Sequence, residues 1–79
     1  MRDHQSKEKF LILFGANVKF LREKKNLSYR KLAQRCNIDY SDLSKIEKGL
    51  IRIQLPTIFD LASGLDLHPR DLFDFEIPK

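Results

Sequence analysis

Tyr40, Ser41, Ser44 and Lys45 fall within six consecutive residues, and at helical spacing they share one outer face near a helix N-terminus. Their chemistry is that of contact rather than of bond-making. Lys45 can donate to guanine O6 and N7, and Ser41 can donate or accept. Tyr40 offers its ring to a thymine methyl or its hydroxyl to a phosphate. Asp42 lies on or beside this face, where it can accept from a cytosine amine or repel a phosphate, and spacing alone leaves both open. Short or hydrogen-bonding side chains near a helix N-terminus are what the major groove of duplex DNA admits.

A second set sits at the two ends of the same region. Ser28, Tyr29 and Arg30 open the preceding helix, where unpaired N–H groups and the positive end of the helix dipole favour a phosphate. Lys48 and Arg52 flank the far end, as further phosphate contacts, with entry into the minor groove as an alternative for Arg52. Charge distribution agrees. Of a net charge of +4, residues 19–52 hold ten basic and four acidic side chains, whereas residues 57–79 hold two basic and five acidic. A polyanion partner for the middle of the chain is the inference, set against an ordinary solvated basic surface.

Catalysis and metal binding find little support. A length of 79 residues predicts one domain, 1–79, with one small core and little room for an enzyme cleft. His4 and His68 are far apart, and Cys36 is the sole cysteine, so neither a metal cluster nor an intramolecular disulfide is expected. No cofactor or small-molecule ligand is indicated. No apolar run approaches the roughly 20 residues of a membrane span, and the polar start of the chain lacks the core of a signal peptide. A cytoplasmic setting is expected.

Two short helices must position the contact residues. Ser28 is a good N-cap for a helix over about Tyr29 to Cys36, with Leu32, Ala33 and Cys36 inward. Asn37 ends it in a left-handed conformation, and Ile38 points back to the core. Asp39 then caps a helix over about Tyr40 to Lys48, with Leu43 and Ile46 inward, and Gly49 stops it. Upstream, Phe10, Phe14, Val18 and Leu21 form one stripe, widened by Leu11 and Leu13, of a helix from about Lys7 to Lys25. Gly15 within it suggests close approach of another helix, and Asn26 suits a left-handed end. Downstream, Pro56 opens a fourth helix lined by Ile58, Leu61, Ala62 and Leu65, with Gly64 near its end. A short fifth helix is predicted from Pro69, started by His68, with Leu72 and Phe73 inward. The tail from Phe73 to Ile77 alternates apolar and acidic residues like a strand, but is too short to stand alone. The expected fold is all-α, a compact five-helix bundle with a central helix-turn-helix and its core within about 7–73.

The region from Leu27 to Gly49 resembles the helix-turn-helix of the phage repressor and Cro family, also called the XRE family. Leu32-Ala33 matches the small-residue site between the two helices, Asn37 the turn position that is usually Gly, and Ile38, Leu43 and Ile46 the remaining core positions. Ile46-Glu47-Lys48-Gly49 resembles the family's I-E-x-G ending. Phe20-Leu21-Arg22-Glu23 ahead of Leu27-Ser28, then Leu61-Ala62 to Leu65 and Asp71-Leu72-Phe73, extend the likeness over about Phe14 to Phe73.

The resemblance implies a lambda repressor-like DNA-binding domain. It implies base contacts from Tyr40, Ser41 and Lys45, a phosphate clamp at Tyr29, and a partly buried structural ion pair between Arg22 and Glu47. The chain lacks the Gln residues that phage proteins carry at the base-contacting places, so no operator sequence carries over. Core packing is the expected role of Cys36.

Together these features predict a DNA-binding transcriptional regulator, not an enzyme. A homodimeric repressor on a (pseudo)palindromic operator is expected, because one recognition helix touches only a few base pairs and a two-fold dimer doubles the site. Leu50, Ile51, Ile53, Phe75 and Ile77 are candidates for that subunit interface, along with the later helices. The rival reading is an antitoxin-type or adaptor protein whose main partner is another protein.

Overall fold

The computed structural model describes residues 4–77, with side chains from residue 7. Helix α1 spans His4–Lys24, and α2 and α3 are eight-residue helices, Tyr29–Cys36 and Tyr40–Glu47. Helix α4 spans Leu55–Leu65, and a 3-10 helix covers Pro69–Phe73. There is no strand among the described residues. None of the described helices is long and apolar enough to cross a membrane.

The turns follow from local chemistry. Asn26 adopts φ 59° and Asn37 φ 58°, a left-handed conformation that asparagine tolerates better than most residues. Behind each, the next residue reaches back over the helix end: Leu27 N–H to the Arg22 carbonyl at 3.1 Å, and Ile38 N–H to the Ala33 carbonyl at 3.0 Å. Ser28 caps α2 by accepting from the Lys31 N–H at 3.1 Å. Asp39 stands at the N-cap position of α3 with extended backbone, but its side chain makes no capping bond, contrary to expectation. Burial of Leu43, Ile46 and Glu47 therefore holds α3 in place, rather than its cap. Gly49 ends the unit at φ 72°.

Three departures from the expected bundle have physical causes. Helix α1 begins earlier, at His4, because nothing before Lys7 breaks a helix. The fifth element is a 3-10 helix of five residues, so the described residues form four α-helices. Reciprocal bonds close its first turn tightly: Arg70 N–H to His68 Nδ1 at 3.1 Å and His68 N–H to Asp71 Oδ2 at 3.0 Å. So short a segment gains little from α-type i→i+4 bonds. Finally, Phe73 is 43% exposed rather than inward, although its ring lies 5.1 Å from that of Phe14.

The core gathers Phe14 and Val18 from α1, Leu32, Ala33 and Cys36 from α2, Leu43 and Ile46 from α3, and Ile58, Leu61, Ala62 and Leu65 from α4, closed by Leu72. Ile38 packs against it, and Phe75 lies against Phe10 with ring centroids 5.7 Å apart. Gly15 lies where α1 meets the end of α3: a Cβ there would collide with the Ile46 carbonyl oxygen and stand 2.7 Å from that of Glu47. Gly64 leaves room for the Cys36 sulfur, while Asp66, at φ 58°, closes α4.

Candidate nucleic-acid interface

Helix α3 divides by face. Leu43, Ile46 and Glu47 are buried, whereas Ser41 and Lys45 are exposed, Ser44 is half-buried, and Tyr40 is 50% exposed. Tyr40 and Ser41 stand in the first turn and Lys45 in the last, so the polar face runs the length of the helix. Asp42 is exposed in the same first turn.

Behind this face, Arg22 joins three elements. Its Nε donates to Glu47 Oε2 at 2.7 Å and its Nη2 to Glu47 Oε1 at 3.1 Å. Nη1 donates to the Leu27 carbonyl at 2.7 Å, and the guanidinium lies 4.4 Å over the Tyr29 ring. The pair is buried, with side-chain exposures of 9% and 1%, yet every buried side-chain polar atom among the described residues has a partner. The bond to Glu47 holds the Arg22 pKa above its already high ordinary value, with burial opposing. Arg22 thus ties the end of α3 and the start of α2 to α1, and it supports the ring of Tyr29.

The remaining basic residues fall into different surroundings. Arg30 stacks 4.4 Å over the Tyr40 ring, bringing together two residues predicted for separate duties. Ser28 is exposed, but its oxygen already accepts the Lys31 N–H, leaving its own O–H to donate. Lys48 is exposed just beyond α3. Arg52 lines a shallow cleft together with Asp39, Asp42 and Asp60. Arg35 donates from Nε to the Gly64 carbonyl at 2.7 Å and so serves the end of α4 instead.

Neither the Arg30–Tyr40 stack nor the Arg35 bond was signalled by spacing, because each reaches from one helix to another. Asn17 was also missed. Its side chain donates to the carbonyls of Asp71 and Leu72 at 3.3 and 2.9 Å, fastening the 3-10 helix to α1. Cys36 is buried, and burial, reinforced by Asp60, pushes its thiol up to about 11. It is therefore not a reactive thiolate near neutral pH. Among the described residues no His, Cys, Asp or Glu side chains cluster as metal ligands.

This architecture has close counterparts. A family model described as Helix-turn-helix matches residues 18–72. The chain is 37% identical over 65 residues to control protein C.BamHI of Bacillus amyloliquefaciens, covering 81% of this chain and 80% of that protein. The crystal structure of the restriction-modification controller protein C.AhdI from Aeromonas hydrophila superposes with a TM-score of 0.79 at 38% identity, over 80% of this chain and 96% of that one. An HTH_3 family transcriptional regulator from Vibrio cholerae gives a TM-score of 0.81 at 27% identity, over 85% of this chain and 38% of that one. These relatives are named as regulators and control proteins, not as enzymes. With the match spanning α2, α3 and most of the core, the chain belongs to the phage repressor and Cro, or XRE, family of helix-turn-helix DNA-binding proteins.

Proposed function

We propose that this protein is a homodimeric transcriptional regulator that binds a two-fold operator in double-stranded DNA through α3. The observation that carries the proposal is the divided helix: α3 buries Leu43, Ile46 and Glu47 and leaves Tyr40, Ser41 and Lys45 exposed. In this reading Tyr40, Ser41, Ser44 and Lys45 meet base edges. Ser28, Tyr29, Arg30, Lys48 and Arg52 hold phosphates on either side. The likeness to C.BamHI and C.AhdI supports a controller of a restriction–modification system, acting as a repressor where its operator overlaps a promoter.

Selection from a random duplex library tests the reading. Wild-type protein is expected to enrich a two-fold motif, with affinity falling steeply as salt rises. Lys45→Ala is expected to lose about fivefold or more of the discrimination at one base pair per half-site. Tyr29→Phe is expected to weaken all sequences alike, by about fivefold for one lost hydrogen bond. A Lys45→Ala motif identical to wild type would remove Lys45 from the readout. Duplex binding that is absent or indifferent to salt would turn the reading to a protein-binding adaptor.

The dimer is supported by the outer face of α4. Leu55 and Phe59 stand one turn apart there, 80% and 66% exposed, with Leu50 also exposed nearby in sequence. Apolar side chains this large and close together on a small protein suit a subunit contact. Phe59→Asp is expected to yield monomers in sedimentation equilibrium and to weaken full-operator binding on the order of 100-fold, by loss of two-site engagement. A dimer of undiminished stability would place the interface elsewhere.

A further inference from the structure

Arg30 and Tyr40 sit on different helices, the first in the opening turn of α2 and the second as the first residue of α3. The Arg30 guanidinium carbon lies 4.4 Å from the centre of the Tyr40 ring, and both side chains are exposed. They border a shallow groove with Ala33, Gln34, Ile38 and Asp39. Among the described residues Arg30 has no carboxylate partner, the one ion pair being that of Arg22 and Glu47. Stacking occupies the face of a guanidinium and leaves its in-plane N–H donors free. An exposed cation–aromatic contact of this kind biases the ring toward one position by about two- to fivefold.

We propose that Arg30 is a positioning residue for Tyr40: its edge is held by a backbone phosphate while its face holds the Tyr40 ring, so backbone register sets which base Tyr40 meets. The proposal rests on the reading of α3 as the helix in the groove. A phosphate that fixes the Arg30 edge sharpens the stack, and the sharpened stack narrows the positions open to the ring. Arg30 thereby acts on sequence preference, whereas a simple phosphate contact acts evenly on all sequences. Lysine would keep the charge without the flat face, which separates the two duties.

Selection from a random duplex library, with salt titrations of the selected sites, tests this for wild type, Arg30→Lys, Arg30→Ala and Tyr40→Leu. Both positions are at the surface, and circular dichroism checks the fold. Arg30→Lys is expected to keep the wild-type salt slope yet lose about fivefold or more of the discrimination at the base pairs affected by Tyr40→Leu. Arg30→Ala is expected to lose the same discrimination and to lower the salt slope by about one. In the free protein, the Arg30 Nε proton is expected upfield from the ring current, and Tyr40→Leu is expected to abolish that shift. Arg30 variants that weaken binding evenly and keep the wild-type motif overturn the inference alone, as does Tyr40→Leu with an unchanged motif. A wild-type protein that enriches no duplex overturns the groove reading as well.

Discussion

Replacing Glu47 with alanine is expected to destabilise the protein by about 3–5 kcal/mol, because it strands a buried guanidinium. That is a large share of the roughly 5–15 kcal/mol that holds a small domain folded. Arg22 gives Glu47 two of its N–H groups, at 2.7 and 3.1 Å, and a third to the Leu27 carbonyl. Alanine removes the acceptor for the first two and leaves the charge in place. The double variant Arg22→Met/Glu47→Met removes both charges and keeps the volume, so it is expected to recover most of the loss. Urea unfolding of wild type, the single variant and the double variant measures both values. A single variant within 1 kcal/mol of wild type would show that water reaches the site and replaces Glu47. Because Glu47 raises the Arg22 pKa, the stability linked to this guanidinium is fully present below the ordinary arginine range. It is lost only as pH rises above that range.

Gly15→Ala is expected to be the second severe change, lowering stability by about 2–3 kcal/mol by overpacking. The sign is informative, since alanine favours a helix over glycine by about 1 kcal/mol. An added Cβ would collide with the Ile46 carbonyl oxygen and stand 2.7 Å from the Glu47 carbonyl oxygen. Both are backbone atoms, so no side chain can swing aside. Helices α1 and α3 must separate instead, and that separation loosens the Arg22–Glu47 bridge beside the contact. Thermal unfolding gives the test, and a raised melting temperature would show that propensity outweighs the collision.

Much of the helix-turn-helix was legible from sequence because its signals are local. Ser28, Asn37 and Gly49 mark ends through their own backbone and capping preferences, and Leu32, Ala33, Cys36, Leu43 and Ile46 mark buried faces by period. Asp39 misled because residue type suggests a cap, while the actual bond depends on where the side chain turns. The last element misled because helical period cannot tell one α-turn from a 3-10 turn closed by His68 and Asp71. Helical period reads Phe73 as inward and does not single out Phe59, and only the packing of neighbouring elements decides that each is left outside. The residues proposed as base contacts on α3 followed from spacing, but the stack of Arg30 on Tyr40 joins residues ten positions apart on different helices. Such a pair is visible only once the packing of the two helices is known.

The split character of α3 bears on how a protein of this kind changes its target over generations. Tyr40, Ser41 and Lys45 lie outside the core cluster, so substitutions there escape the penalty that guards Leu43 or Ile46. With α3 reading bases as proposed, the scaffold can stay constant while the address it recognises drifts, one base pair at a time. Arg30 sets a limit on that freedom. A lineage that exchanges Tyr40 for a side chain without a ring loses the partner of Arg30, so these two positions should change together in retargeted descendants, and engineers seeking a new address should vary them as a pair.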